Sequence, residues 1–223
     1  MTFRNRYMYM LALLVIAGIS IFAILNVWFN SSSLNQSEVE ELRAQYPLYS
    51  GVPAHVSIKE ITLDDIMKTA ETLVLAEVIE PLPEYTIQLV DDSDSSEGKL
   101  QEKGKEFGLS DTATFISYRI KVMEDLLESE ILHNQSAEIT IAVSSEFKEV
   151  EPELKPGMRI ITPISQGTGK HQGKYLYSKY GLYYVTDHGY VLSAYDEGSG
   201  AKLTGQSLEE AKSALRKMHS RYK

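Results

Sequence analysis

The sequence predicts an α+β chain, mainly β, set behind a transmembrane helix. Three observations carry that prediction. The stretch from Tyr7 to Phe29 is almost continuously apolar. Several later segments alternate apolar and polar residues with the period of a strand. Two pairs, Thr62 with Asp65 and Ser207 with Glu210, match the helix-opening capping box and bracket the strand-rich region. Six or seven short strands with a helix before and after them suggest a small barrel or a strongly bent antiparallel sheet.

The apolar stretch comes first in the chain. No charge occurs between Arg6 and Glu38, and only Gly18, Ser20 and Asn26 interrupt the run from Tyr7 to Phe29. As a helix it would be roughly 34 Å long, enough to cross a hydrocarbon core of about 30 Å. The alternative is a cleaved signal peptide, whose apolar region is shorter, about 7–15 residues, and ends in a small-x-small site. This run exits through Asn26-Val27-Trp28-Phe29 instead. Arg4 and Arg6 precede it, whereas Glu38, Glu40 and Glu41 follow, so the positive-inside tendency puts the N-terminus in the cytoplasm. Tyr7, Tyr9 and Trp28 fall where interfacial aromatic belts lie. The expected division is a cytoplasmic 1–6, a span over 7–29, a tether and stalk over 30–59, and an extracytoplasmic domain over 60–223. The expected location is the cell membrane, single-pass, with the C-terminal domain extracellular.

Composition narrows the function. Residues 1–29 hold two basic and no acidic residues, so the net charge of −9 becomes −11 for the rest of the chain. That balance argues against bulk electrostatic binding of nucleic acid or anionic lipid. No cysteine is present, which excludes disulfides, thiol nucleophiles, thiolate zinc sites and a lipid-modified cysteine anchor. An exported domain without disulfides leans towards a bacterial, particularly Gram-positive, surface.

Beyond the span, Asn30 to Ser37 is polar and uncharged, as a tether would be. Glu38 to Gln45 could form one stalk turn, ended by Tyr46-Pro47. Tyr49 to Pro53 reads as loop. After Thr62, Leu63, Ile66, Met67 and Ala70 recur at helical spacing. Leu73 to Ile79 is rich in branched apolar residues and reads as a buried strand, with Tyr85 to Val90 extending the pairing beyond Pro81 and Pro83. Asp91 to Asp111 is polar and reads as a mobile loop. Strands are expected over Ala113–Met123, Ala137–Ser144 and Arg159–Ile164, the last after the turn signal Lys155-Pro156-Gly157. Lys174 to Tyr195 holds two or three more, with a tight turn at Asp187-His188-Gly189. Leu208, Ala211, Leu215 and Met218 make the apolar stripe of a final helix, acidic at its start and basic at its end, as the helix dipole favours.

The segments Ala70 to Val78, Tyr118-Arg119-Ile120-Lys121-Val122 and Leu154 to Ile160 resemble, in that order, a group of uncharacterised exported bacterial domains. Those are OB-like small β-barrels behind an N-terminal membrane anchor, with a helix running into the first strand. The resemblance covers residues 60–195 and departs at Glu71 and Ala76, where the group prefers Asp and Gly. It implies an OB-like, partly open barrel that presents one face and its loops to ligands, and it implies no catalytic residue.

No reaction motif occurs. His55, His133, His171, His188 and His219 make no HExxH or other close metal-ligand pair, and they read as isolated surface or turn residues. There is no Gly-x-Ser-x-Gly elbow. Ser50-Gly51-Val52-Pro53 lacks the methionine of the signal-peptidase motif, and the sortase layout needs a cysteine. Gly167-Thr168-Gly169-Lys170 has Ile164 and His171 where a phosphate loop needs Gly and Ser or Thr, so it reads as a flexible loop between strands. Asp91 to Glu97, and Glu146, Glu149, Glu151 and Glu153, read as solvated acidic loops, with weak cation binding as the alternative. Asn30, Asn35 and Asn134 begin Asn-x-Ser sequons, relevant only in a glycosylating host.

Seven of the 14 tyrosines fall within residues 175–195. Tyrosine suits stacking on sugars or a protein interface, but it also builds strands well. Tyr175, Tyr177, Tyr180, Tyr183 and Tyr184 are the candidate ligand or partner surface. Alternation puts Tyr175 and Tyr177 on one face and turns Tyr183 and Tyr184 in opposite directions. No catalytic, metal or cofactor residue is assigned. The expected function is a single-pass, membrane-anchored extracytoplasmic binding or interaction module for an envelope protein or carbohydrate, not nucleic acid. The alternatives are an envelope hydrolase with a site assembled from scattered Asp, Glu and His, and a structural or regulatory component of a membrane complex.

Overall fold

A computed structural model describes residues 33–49, 62–90, 94–105, 110–132, 137–145, 152–195 and 199–222. The expected span lies outside them. Among the described residues no helix is long and apolar enough to cross a membrane.

The described chain is α+β and mainly β, with four α-helices and a seven-stranded mixed sheet. Helix α1, Gln36–Leu42, opens on a capping box between Asn35 and Glu38, two residues earlier than the expected stalk turn. The segment read as tether and stalk packs onto the body here. Leu34, Val39 and Leu42 lie against the main core, and Tyr46 is buried in it. Helix α2, Leu63–Thr69, starts at the Thr62/Asp65 capping box and buries Leu63, Ile66 and Met67.

Strand β1, Thr72–Gln88, is continuous through Pro81 and Pro83. Its start, Thr72–Glu77, pairs with β4, Arg159–Gln166, and Val74–Gln88 pairs with β2, Thr112–Asp125. The prolines are tolerated because that stretch has β2 on one side only, where register shifts flank them. Between β1 and β2 stands helix α3, Ser96–Lys105, where a loop was expected. The Ser95 hydroxyl caps it by accepting the Gly98 N–H at 2.9 Å. Its polar surface has no apolar stripe, so periodicity could not announce it.

Strands β3, Glu138–Ser144, β5, Tyr175–Tyr177, β6, Tyr183–Val185, and β7, Val191–Ser193, complete the sheet. The order is β1-β2-β3-β5-β4-β6-β7, and β1 also pairs with β4. Hydrogen bonding therefore runs β1-β2-β3-β5-β4 and back to β1. Every pair is antiparallel except β3 with β5. The sheet is thus mixed, which differs from the bent antiparallel sheet that was one of the two expected forms. The chain passes through β4 before reaching β3's free edge, and that crossover brings β5 in parallel. Strands β6 and β7 form the expected hairpin, turning where Gly189 has φ +78° and donates to the Thr186 carbonyl at 3.0 Å. Helix α4, Leu208–His219, opens on the Ser207/Glu210 capping box.

Alternation divides the core in two. Val74, Ala76, Ile160, Tyr184 and Leu192 enter one cluster. Their neighbours Leu73, Leu75, Ile161, Tyr183 and Val191 enter the other, together with Leu63, Met67, Ala211 and Leu215 of α2 and α4. The central strands are therefore buried on both faces. Helix α4 is tied to β2 by Lys212, whose ammonium donates to Glu124 at 2.7 Å and Glu209 at 2.8 Å. Arg216 adds bonds to Glu124 and to the Leu126 carbonyl, each at 2.8 Å.

Candidate functional site

The tyrosines proposed as a surface are mostly core. Tyr175, Tyr177, Tyr183 and Tyr184 are buried, at 4%, 8%, 0% and 0% exposure. Their strands are short and covered on both sides, so a large, mostly apolar ring has more to gain inside than out. Tyr175 and Tyr177 do share a face, and Tyr183 and Tyr184 do point oppositely, each pair into packed interior. Tyr180 is half-buried, edge-on to Tyr195 at 4.8 Å, with the Lys179 ammonium near both rings. Burial pushes the Tyr183 and Tyr184 hydroxyls far above their ordinary pKa.

A different cluster is half-exposed and holds chemistry. It forms where the far end of the β1–β2 hairpin meets the loop joining β4 to β5, residues 167–174. Tyr85 and Phe115 are ladder partners whose rings stack at 5.3 Å with an interplanar angle of 19°. His171 meets the Phe115 ring edge-on at 4.5 Å, and its Nδ1 lies 2.8 Å from the Tyr85 hydroxyl. The Lys174 ammonium sits 4.5 Å from the centre of the Tyr85 ring. Lys170 donates to the Gln88 carbonyl at 2.6 Å.

The loop is built to place these groups. The Gly167 N–H donates to the Lys174 carbonyl at 2.8 Å, closing the loop at its neck. A Cβ on Gly167 would come within 2.4 Å of the His171 carbonyl oxygen, so no larger residue fits there. Gly169, which opens the 3-10 turn Gly169–His171, and Gly173, which follows it, both take positive φ. The expected flexible loop is thus a folded turn, and His171 is a member of an aromatic cluster, not an isolated turn histidine.

The electrostatics of this loop run against those of the chain. It carries Lys170, His171 and Lys174 and no acidic residue. Among the described residues no carboxylate forms an ion pair with Lys174. Burial, and after it the Lys174 charge, hold His171 below its ordinary pKa of 6.5. Burial also raises the Tyr85 hydroxyl. A neutral His171 in its Nε2–H tautomer accepts the Tyr85 hydroxyl at Nδ1.

A groove of about 530 Å³ opens where β1 and β4 part company. The Val78 N–H donates to the Met158 carbonyl, and the Gly157 N–H to the Val78 carbonyl, both at 2.8 Å. Beyond them Pro81 and Pro83 have no N–H to offer, so the β1–β4 ladder stops and the chain at 152–156 veers away. Leu82, Ile116, Tyr49, Tyr118 and three prolines line the gap, with Glu84, Glu153 and Lys155 among them.

The remaining sequence candidates separate. His188 is exposed in the β6–β7 turn, and His219 is buried with Nε2 3.3 Å from the Ala70 carbonyl. His55, His133, Asn30, Asn134 and the acidic run Glu146 to Glu151 lie outside the described residues. Asn35 caps α1 and Glu153 is exposed. Among the described residues no three His, Asp or Glu converge as a metal site. The His171 cluster gave only weak signals in the sequence: a glycine-rich, acid-free loop and an aromatic on each of two strands.

Comparison with known proteins gives no matching family model. No curated protein matches the chain either.

Proposed function

We propose that this chain is a single-pass, membrane-anchored extracytoplasmic binding module on an OB-like barrel, and that it binds an anionic glycan at the 167–174 loop. The barrel reading is supported by the pairing cycle β1-β2-β3-β5-β4-β1, with its one parallel pair β3–β5. In OB-type barrels the β1–β2 and β4–β5 connections lie beside the face that takes oligosaccharides and oligonucleotides. Here those two regions touch, through Tyr85, Phe115 and His171. The acidic balance of the chain weighs against any polyanion held by bulk charge, nucleic acid among them, and leaves a bound anion to a local contact at Lys174.

One observation carries the ligand class. In a chain of net charge −9, the Lys174 ammonium rests on an aromatic ring beside a histidine, with no carboxylate ion-paired to it among the described residues. A ligand carboxylate or phosphate supplies that charge, and the exposed parts of the stacked Tyr85–Phe115 pair supply apolar contact for a sugar.

The test is titration of the detergent-solubilised full chain with hexagalacturonate, maltohexaose and inorganic phosphate. Binding of hexagalacturonate but not maltohexaose is expected. Removing a charge-assisted contact of about 1.5–3 kcal/mol through Lys174→Ala weakens it roughly ten- to a hundredfold. Unchanged binding in Lys174→Ala, or no saturable binding of the acidic hexasaccharide, refutes the site.

The groove at Pro81 favours a second reading, a module that accommodates an extended polypeptide segment. Its volume lies in the range of about 300–1,000 Å³ typical of ligand sites. Ile116→Glu would abolish such binding and leave the glycan titration unchanged.

A further inference from the structure

We infer that the folded body is clamped against the outer surface of the bilayer, with the start of α1 and the Thr204-Gly205 turn towards the lipid headgroups. The inference rests on the reading of residues 7–29 as a membrane span and adds to it a position and an orientation.

The sequence suggests thirty residues of tether and stalk, on which a domain could swing freely. The structure removes most of that length. The Leu34 N–H donates to the Gly205 carbonyl at 2.8 Å, so the chain is already joined to the body at Leu34. Gly205 has φ +85°, and a Cβ there would lie 3.1 Å from the Leu34 carbonyl oxygen, so backbone meets backbone closely at this point. The Asn35/Glu38 capping box then sets the direction of α1. Arg43 donates to the Ser193 carbonyl at 2.8 Å and to the Tyr46 carbonyl at 3.3 Å. Tyr46 is buried, its ring 5.7 Å from Tyr184, and the Tyr49 N–H donates to the Ala194 carbonyl at 3.0 Å. Residues 34–49 are thus fastened at both ends and in the middle to β7 and to the turn that follows Leu203.

Only Asn30, Ser31, Ser32 and Ser33 remain between the end of the span at Phe29 and this attachment. Five Cα steps reach roughly 18 Å at full extension. A domain of this size has a radius of gyration of about 16 Å. The tether is therefore no longer than the body is wide, and it joins the body at one face. Charge does not provide the hold. Glu38, Glu40 and Glu41 lie on or beside α1 with exposed side chains, and they would be repelled by anionic headgroups. Geometry alone keeps the body down, and its ligand must be reachable within one domain diameter of the membrane.

The cysteine-free chain makes the test direct. Lys202→Cys places a single thiol on the exposed side of the turn preceding Gly205. The labelled full chain is reconstituted in phosphatidylcholine vesicles containing a headgroup-nitroxide lipid. At least a twofold loss of fluorescence is expected. Inserting twenty Gly/Ser residues between Ser33 and Leu34, outside α1, lengthens the tether to a coil of roughly 25–30 Å and should restore at least half of the lost signal. Raising the salt concentration should change nothing. Equal quenching in the native and lengthened chains, or none in either, overturns the clamp. Failure of the full chain to float with vesicles is a separate result, which overturns the span itself. Circular dichroism of both variants confirms that each is folded.

Discussion

Replacing Tyr183 by Phe should make the protein more stable, whereas the same edit at Tyr175 should make it less so. Both rings are buried, so each substitution removes one oxygen and leaves the packing in place. Among the described residues the Tyr183 hydroxyl has no hydrogen-bond partner. A buried, unsatisfied hydroxyl costs about 1–3 kcal/mol of desolvation, and Phe relieves that cost. The Tyr175 hydroxyl donates to the Ile131 carbonyl at 3.1 Å. Losing that bond costs about 0.5–1.5 kcal/mol. The expected changes are therefore about +1 kcal/mol or more for Tyr183→Phe and about −1 kcal/mol for Tyr175→Phe. Tyr183→Ala, which empties the site under α2 and α4, should cost about 3–5 kcal/mol. Urea unfolding of the solubilised chain measures all three, with an unchanged m-value showing that the states compared are the same. Destabilisation of about 1 kcal/mol or more by Tyr183→Phe would mean that the hydroxyl is satisfied, and the described packing of that cluster would be wrong.

His171 should titrate below pH 6.5, followed by its imidazole proton resonances. Because its folded pKa is depressed, the stability it contributes is complete above about pH 6.5 and is lost as the pH falls towards the folded value. Saturating hexagalacturonate should raise that pKa by placing negative charge beside the ring. A resonance that is insensitive to the glycan would argue against contact. Lys212→Met should destabilise by about 1–2 kcal/mol, since two charge-assisted bonds are lost but Glu209 stays largely solvated. Burial lowers the Lys212 pKa, and the bonds to Glu124 and Glu209 outweigh it, so the net shift is upward. Its stabilisation is thus present below about pH 10.5 and fades as the pH rises through the folded value; a flat thermal-stability profile across that alkaline range would contradict it. Gly205→Ala should cost about 1–2 kcal/mol for its left-handed backbone, read by chemical denaturation. No measurable loss would show that residue 205 does not hold a left-handed backbone in the folded protein.

Local signals were legible wherever the cause was local. Thr62 with Asp65 and Ser207 with Glu210 lie three residues apart, and both capping boxes form. The third, Asn35 with Glu38, was present in the same form but hidden by the uncharged stretch around it. Helix α3 was missed because solvent-facing polar residues leave no periodicity. Glycine at 167 was visible, but its reason is the His171 carbonyl oxygen that a Cβ would strike.

The sequence by itself determined the strand and helix types over most of the described chain, the acidic balance and the apolar run before Asn30, because these depend on neighbours a few residues away. It even determined that Tyr183 and Tyr184 face oppositely. Only the tertiary structure decided that both directions lead into core, since the cover is provided by α2 and α4 on one side and by the rest of the sheet on the other. It also decided that Tyr85 and His171, 86 positions apart, meet. The proline pair in β1 was plain to read, yet its effect depends on β4, whose ladder ends where the missing N–H groups begin. The function proposed for this chain rests on contacts of that second kind, in which a residue's role is set by a strand or loop remote in sequence.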